Sequence, residues 1–263
     1  MITMNILCIG DVTGSIGCKF LLNTLPSLKR SESIDLCIVN GENSADGNGI
    51  TVQSADMIFA AGADVITGGN HTLRRREVFD RLNSDEFMLR PQNISSNAPG
   101  SGYCAVDLGR TRVAVINLIG RVYMNDAASP FTAADELLSK VEADGIKTVI
   151  VDFHAEATAE KKALGYYLDG RASAVFGTHT HVATSDCQLL PKGTGFMTDI
   201  GMTGPVDSVL GVKPELSLAR IKDGAPVKFE LSSGKCRLDG CVLNIDEKSG
   251  ACKAIRSVHI EEL

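Results

Sequence analysis

The sequence contains no tryptophan, and aromatic residues make up only 5% of its 263 residues. Proteins that bind single-stranded nucleic acid stack bases on aromatic side chains, so this class is not expected. Positive charge is also scarce, since 26 lysines and arginines stand against 32 acidic residues and give a net charge of −6. This balance argues against a broad cationic surface for long nucleic acid, which is therefore not an expected partner.

No uninterrupted apolar run approaches the ~18 residues that a membrane-spanning helix requires, so no membrane partner is expected. The N-terminus lacks the basic and apolar segments of a signal peptide. The eight cysteines form no CxxC pair, and Cys8 and Cys37 lie inside apolar runs, where a free thiol behaves as a small hydrophobe. We therefore expect a cytoplasmic protein with reduced cysteines.

Strand-like and helical segments alternate through the first two-thirds of the chain, and strands dominate the remainder. This pattern predicts a single α/β domain over residues 1–263, with two sheets and the helices outside. The predicted strands cover residues 5–9, 35–39, 64–67, 103–108, 112–118, 148–153, 172–176, 227–231, 235–245 and 251–260. The predicted helices cover residues 15–29, 52–61, 74–82, 133–143, 158–168 and 215–221.

Five of the apolar runs end directly in polar side chains. Sites in α/β sheets form beyond the carboxyl ends of the strands, and a glycine beside four of these ends permits the tight turn that such a site needs. We therefore expect these polar side chains to meet in one place. They are Asp11, Glu42 with Asn43, Asn70 with His71, His154, and His179 with His181.

His179 and His181 give the strongest signal, because residues i and i+2 of an extended strand point to the same side. Both imidazoles can therefore face one metal ion. The candidate ligands combine oxygen and nitrogen donors without cysteine, which suits iron, manganese or zinc. Seven ligands are too many for one ion, so we expect two ions about 4 Å apart that share a carboxylate. Glu42 is the candidate bridge.

This charge arrangement favours phosphodiester hydrolysis. Two divalent ions, the Asp11 and Glu42 carboxylates and a bridging hydroxide leave about +1, which holds a phosphodiester anion, and metal binding makes hydroxide available at neutral pH. The hydroxide would attack phosphorus in line with the leaving oxygen. His71 follows the candidate ligand Asn70 and should point differently, so it is a candidate general acid for the leaving oxygen.

These motifs resemble the calcineurin-like metallophosphoesterases, and their finer pattern resembles the bacterial YmdB-like branch over essentially the whole chain. That pattern consists of residues 10–14 (GDVTG), 40–43 (NGEN), 152–156 (DFHAE), 169–173 (DGRAS) and 199–205 (DIGMTGP). Two departures from the wider family stand out. Thr13 occupies a position where that family has a histidine, and Glu42 occupies one where it usually has an aspartate.

The resemblance implies a four-layer sandwich of two mixed sheets flanked by helices. It also implies hydrolysis of 2′,3′-cyclic or 3′,5′-cyclic nucleotides, with His71 as proton donor and with iron or manganese as native metal, zinc or magnesium remaining open. The implied ligands of one metal are Asp11, Glu42, Asn43 and His181. Those of the other are Glu42, Asn70, His154 and His179.

Two other hypotheses remain at this point. The chain could be a regulatory protein that binds a nucleotide or a protein partner at a metal site with incidental catalysis, although a pure binder has no need of an acid such as His71. It could also be a dinuclear amidohydrolase, but that class carries its HxH motif early in a barrel. The sequence leaves open the natural substrate, the metal and a homo-oligomeric state.

Overall fold

The computed structural model describes residues 2–124 and 127–262. Within them strands and helices alternate, as the sequence pattern predicts. The strands are β1 (Thr3–Ile9), β2 (Asp11–Val12), β3 (Leu36–Asn40), β4 (Val65–Thr67), β5 (Tyr103–Asp107), β6 (Arg112–Ile119), β7 (Thr148–His154), β8 (Ala174–Thr178), β9 (Gln188–Leu189), β10 (Gly195–Met197), β11 (Met202–Pro205), β12 (Cys236–Asp246) and β13 (Cys252–Glu261). The helices are α1 (Gly14–Ser31), α2 (Val52–Ala61), α3 (Phe79–Ser84), α4 (Pro130–Ala143), α5 (Thr158–Tyr167) and α6 (Pro214–Asp223).

The strands form two mixed sheets. The first has the order β2-β11-β12-β1-β3-β4, with β13 also paired to β12. Its strands β1, β3 and β4 are parallel, whereas β12 is antiparallel to β1. The second has the order β5-β6-β7-β8-β10-β9. Its strands β6, β7, β8 and β10 are parallel, and the two edge strands are antiparallel. Each sheet thus contains parallel strands that share one C-terminal edge.

Successive side chains of β1 point to opposite faces of the sheet, so this strand contributes to two separate cores. Leu7 and Ile9 pack on the outer face of the first sheet, in a cluster with α1, α2 and α3. Ile6 and Cys8 point the other way and pack against the second sheet. A third cluster joins α4 and α5 to the outer face of that second sheet. The layers are therefore helix, sheet, sheet and helix, as predicted, and two open sheets are incompatible with the barrel of an amidohydrolase.

Buried polar side chains join the two sheets at their C-terminal edges. Asn40 at the end of β3 donates from Nδ2 to Asp152 Oδ2 on β7 at 3.0 Å. Thr67 at the end of β4 donates its hydroxyl to the same carboxylate. Asn117 on β6 accepts from Gly68 N at 2.9 Å and donates to its carbonyl at 3.0 Å. The loops that follow the parallel strands of both sheets therefore emerge side by side.

Two predicted elements differ from the structure. The predicted helix over 74–82 is instead two short 3₁₀ helices, Thr72–Arg74 and Arg76–Val78, followed by α3. The break lies at Arg75, whose backbone is extended at φ −110° and ψ 112°. Its guanidinium donates from Nη2 to the Asp46 carbonyl at 2.7 Å and from Nε to the Asn48 carbonyl at 3.2 Å. These bonds to a neighbouring loop outweigh the helical tendency of the charged segment.

The predicted strand over 227–231 does not join either sheet. It makes one isolated bridge, between Val212 and Leu231, and Glu230 O accepts from Lys213 N at 3.0 Å. The segment therefore lies against the loop before α6.

All eight cysteines are free thiols, and seven of them are buried. None of the helices in the described ranges is long and apolar enough to cross a membrane. The single domain predicted over residues 1–263 stays a prediction.

Candidate metal centre

All seven predicted ligands and His71 come together where the two sheets meet. The first sheet contributes Asp11 after β1, the loop after β3 and the loop after β4, whereas the second contributes the end of β7 and the loop after β8. Glu42 lies at the middle of this cluster and is 1% exposed. Its Oε1 lies 3.3 Å from Nε2 of His154 and 3.3 Å from Nδ1 of His71. Its Oε2 accepts from the His71 backbone N–H at 2.7 Å.

One group of nitrogen and oxygen donors surrounds His154. Glu42, His154 and His179 each place a potential ligand atom within 4.8 Å of the others. His179 Nδ1 lies 3.1 Å from His154 Nε2, and Asn70 Oδ1 lies 2.9 Å from the same nitrogen. Gly69 makes this close approach possible, because a Cβ there would lie 2.3 Å from His154 Nε2 and 2.4 Å from Glu42 Oε2. Such a convergence of lone pairs suits a cation.

A second group surrounds Asp11. The carboxylate is fully buried, and its Oδ1 has no hydrogen-bond partner among the described residues. That oxygen lies 3.6 Å from His181 Nε2. His181 Nδ1 lies 3.2 Å from the Leu210 carbonyl, which can only accept, so the ring donates there and turns the Nε2 lone pair to Asp11. A buried carboxylate oxygen without a partner is costly, and a bound cation would satisfy it.

Asn43 also reaches this second group, but through its amide nitrogen. Its Nδ2 donates to Glu42 Oε1 at 2.8 Å and lies 3.3 Å from His181 Nε2. Its Oδ1 lies 3.0 Å from His71 Nδ1. The amide oxygen is the atom that binds a metal. Asn43 would therefore have to turn its amide over to act as a ligand beside His181.

The two histidines of the HxH motif converge for a different reason from the one that the sequence suggests. They lie in the loop after β8 and not in an extended strand, so the argument from alternating strand side chains was wrong. His179 has φ 98° and His181 has φ 63°, which is the left-handed region that side chains other than glycine rarely adopt. This backbone needs support from its surroundings.

The support comes from Asp199, between the two sheets. Its Oδ2 accepts from the backbone N–H and the hydroxyl of Thr180, at 3.0 and 2.7 Å, and thereby holds the residue between the two histidines. Lys161 on α5 donates to the same oxygen at 2.6 Å, and both partners of this ion pair are almost fully buried. Lys161 is not among the residues that the sequence motifs single out. Its helical spacing from Leu164 and Leu168 is the signal that places it on the buried face of α5.

A second support fixes the ring of His154. Thr178 Oγ1 lies 2.8 Å from Asp152 Oδ1, which accepts its proton, and 2.9 Å from His154 Nδ1. The hydroxyl therefore accepts from Nδ1–H, so Nε2 faces Glu42 and would bind a cation there once its proton is displaced. Burial raises the pKa of Asp152 to about 6, against the effect of its hydrogen-bond donors. It is thus an acceptor at neutral pH. On the other imidazole, His179 Nε2 lies 3.1 Å from Glu156 Oε2, which leaves Nδ1 to the centre.

The buried charges control the protonation of the centre. Burial acts to lower the pKa of His154, but Glu42 and Asp11 raise it to about 9. Burial and then His154 lower the pKa of His179 to about 4. Burial would raise the pKa of Glu42, yet His154 and His71 hold it well below its ordinary value. The centre therefore keeps its carboxylates ionised and attracts positive charge.

A family model described as YmdB-like protein matches residues 7–258. The chain belongs to the YmdB-like family. This result confirms the membership that the motifs predict. Among its relatives is a Bacillus subtilis (strain 168) protein named 2′,3′-cyclic-nucleotide 2′-phosphodiesterase, which is 44% identical and aligns over 98% of each chain.

Solved structures confirm the predicted fold. A hypothetical protein from Thermus thermophilus superposes with a TM-score of 0.92 at 40% identity, over 99% of this chain and 100% of the other. A novel phosphatase from Mycoplasma pneumoniae superposes with a TM-score of 0.93 at 32% identity, over 100% and 95% of the two chains. A 5′-nucleotidase precursor, also from Thermus thermophilus, shares the fold alone, with a TM-score of 0.57 at 13% identity and with 98% and 54% of the two chains covered.

The buried ion pair between Lys161 and Asp199 gives a prediction about stability. Lys161→Met leaves the Asp199 carboxylate buried without its positive partner, so we expect unfolding free energy to fall by ~3–5 kcal/mol. Urea denaturation of chelator-treated protein measures the loss. Lys162→Met is the matched control, because Lys162 is half-exposed in its pair with Asp186 and the change should cost less than ~1 kcal/mol. Equal losses in the two variants would contradict the supporting role.

Proposed function

We propose that this YmdB-like protein is a metal-dependent phosphodiesterase that hydrolyses small cyclic nucleotides, with 2′,3′-cyclic nucleoside monophosphates as its main substrates. The name of the Bacillus subtilis relative specifies this substrate class, and the prediction of an enzyme that cleaves phosphoric esters is confirmed. The observation that carries the metal dependence is the buried Asp11 Oδ1, which has no hydrogen-bond partner within residues 2–124 and 127–262 and lies beside the cluster of Glu42, His154 and His179. The same proposal includes activity on 3′,5′-cyclic nucleotides, which carry the same phosphodiester group.

The donors fit two cations. Asp11, Glu42, Asn43 and His181 would hold one, and Glu42, Asn70, His154 and His179 the other, with Glu42 shared. Oxygen and imidazole donors without thiolate suit iron or manganese, which we propose as the native metals. Zinc and magnesium also bind such donors. Bound ions would supply Lewis acidity at the phosphoryl group and lower the pKa of a water molecule. The free cysteines favour a cytoplasmic location, which is part of the same proposal.

The protein has a cavity for a small substrate over the centre, and His71 in it is the proposed proton donor. A cavity of about 590 Å³ opens over the centre, within the ~300–1,000 Å³ of small-molecule sites. The His71 side chain lines this cavity and is 27% exposed, so a substrate can reach it. Its Nδ1 lies 3.0 Å from Asn43 Oδ1 and its Nε2 lies 3.3 Å from Asn70 Nδ2, so the ring is held at the cavity wall, where its protonated form would give a proton to the leaving ribose oxygen. This role favours an enzyme over a protein that only binds a nucleotide.

Glu42→Gln tests the shared carboxylate. The amide keeps the size of the side chain but removes a charge that both ions would share. We expect metal content and turnover of 2′,3′-cyclic AMP to fall by more than the ~10–100-fold that loss of a merely supporting group causes. The circular dichroism spectrum should not change. Glu142→Gln, on the exposed end of α4, is the control. Near-normal metal content and activity in Glu42→Gln would overturn its assignment.

His71→Ala tests the general acid. The variant should bind metal normally and lose ~10²–10⁴-fold in kcat on a cyclic nucleotide, whose alkoxide leaving group needs a proton. The rate with bis(p-nitrophenyl) phosphate should change little, because nitrophenolate leaves without protonation. His259→Ala, which removes a surface imidazole, should affect neither. A kcat on the cyclic nucleotide equal to that of the unmodified enzyme would remove His71 from this role.

Thr178→Val tests the hydrogen-bond chain from Asp152. The substitution keeps the shape but removes the hydroxyl that orients His154, so we expect Mn²⁺ to bind ~10–100-fold more weakly. Equilibrium dialysis measures the affinity. Thr148→Val is the matched control, since Thr148 is also buried but lies at the opposite end of β7. The idea fails if both variants bind Mn²⁺ as the unmodified protein does.

A further inference from the structure

The cavity above the metal centre has a second wall that takes no part in the proposed chemistry. One side consists of centre residues such as Glu42, His71 and His179. The facing side comes from the loop before α6, from α6 itself and from the segment over 227–231, and apolar side chains predominate in it. These side chains are Leu210, Val212, Val227, Phe229 and Leu231, with Arg220, Lys228 and Glu230 between them. We call this surface the apolar wall.

Hydrogen bonds join the segments of the apolar wall to one another, and a packing contact joins the wall to α1. Lys213 N donates to Glu230 O at 3.0 Å, and its Nζ pairs with the Glu230 carboxylate at 2.7 Å. Ser232 N donates to the Gly211 carbonyl at 2.9 Å. Leu231 packs so closely on Gly14 that a Cβ built there would lie 2.1 Å from its Cδ1. The packing on Gly14 and the Leu210 carbonyl, which accepts from His181, set the position of the wall relative to the centre.

Phe229 is the distinctive member of the apolar wall. The side chain lines the cavity, yet it is 45% exposed. The Arg220 guanidinium lies 5.3 Å from the centre of its ring, which is within cation–π distance and orients the ring. An oriented aromatic ring with free surface in a small-molecule cavity is suited to stack on another flat π system.

From this geometry we propose that Phe229, held by Arg220, binds the nucleobase of the substrate. This inference rests on the proposed function, because the phosphate would lie at the metal centre while the base reaches the opposite wall. Stacking needs only a π face and no hydrogen-bond code, so the wall accepts every base and favours the larger purines. Phe229 and Arg220 are thus determinants of substrate affinity and not of the chemical step.

The test compares ligands with and without a base. Adenosine 3′-monophosphate and inorganic phosphate are titrated into metal-loaded protein by calorimetry. Phe229→Ala should weaken nucleotide binding by about tenfold or more and leave phosphate binding within about twofold. Phe229→Trp should restore nucleotide binding, whereas Phe229→Leu, which keeps an apolar side chain, should not. Tyr166→Ala, which removes an exposed aromatic ring from α5, is the control.

Kinetics separate this inference from the proposed function. Phe229→Ala should raise KM for 2′,3′-cyclic AMP with little change in kcat, and should leave glycerol 1,2-cyclic phosphate, which has no base, unaffected. If the unmodified enzyme hydrolyses neither compound, the proposed function fails and the calorimetry still decides the role of Phe229. Equal nucleotide affinity in Phe229→Ala and the unmodified protein, or an equal loss for nucleotide and phosphate, would overturn the inference.

Discussion

Two carboxylates buried where the sheets meet impose the main constraint on this structure. Asp11 and Glu42 are almost completely inaccessible to solvent, and each buried charge costs several kcal/mol unless it is neutralised. The pKa shifts favour ionised carboxylates and a protonated His154, so positive charge is drawn to this place in the folded protein. Cations that replace the proton of His154 would neutralise both buried carboxylates. Metal binding should therefore contribute to folding stability.

The surrounding hydrogen bonds follow from that constraint. Imidazoles that bind a cation must direct a lone pair at it, which requires that their other nitrogens have fixed partners. Thr178 supplies such a partner for His154, and Leu210 supplies one for His181. Asp199 and Lys161 hold the loop after β8, in which His179 and His181 have positive φ. Buried polar groups thus support the centre on its protein side, and the cavity leaves the other side to substrate.

The sequence predicted which side chains meet but not how they are held. Asp11, Glu42 and His154 were predictable because each comes within three residues of the end of an apolar run, and the ends of parallel strands lie close together. The conformation of His179 and His181 was not predictable, because nothing local to those residues favours a positive φ. The burial of Lys161 was not predictable either, because adjacent lysines such as Lys161 and Lys162 normally form a solvated helix face. The interruption at Arg75 depends on carbonyls of a loop almost thirty residues away in sequence.

The cavity combines parts of the chain that obey different constraints. Strand ends supply the candidate metal centre, where small displacements would separate the donors that the proposed cations share. The apolar wall comes from segments outside both sheets, and its contact with a base needs only a flat surface. The two parts touch at Leu210, whose carbonyl accepts from His181 and whose side chain lines the wall. Substitutions further along the wall can therefore alter base preference without disturbing the ligands, so substrate range can change while the chemistry is retained.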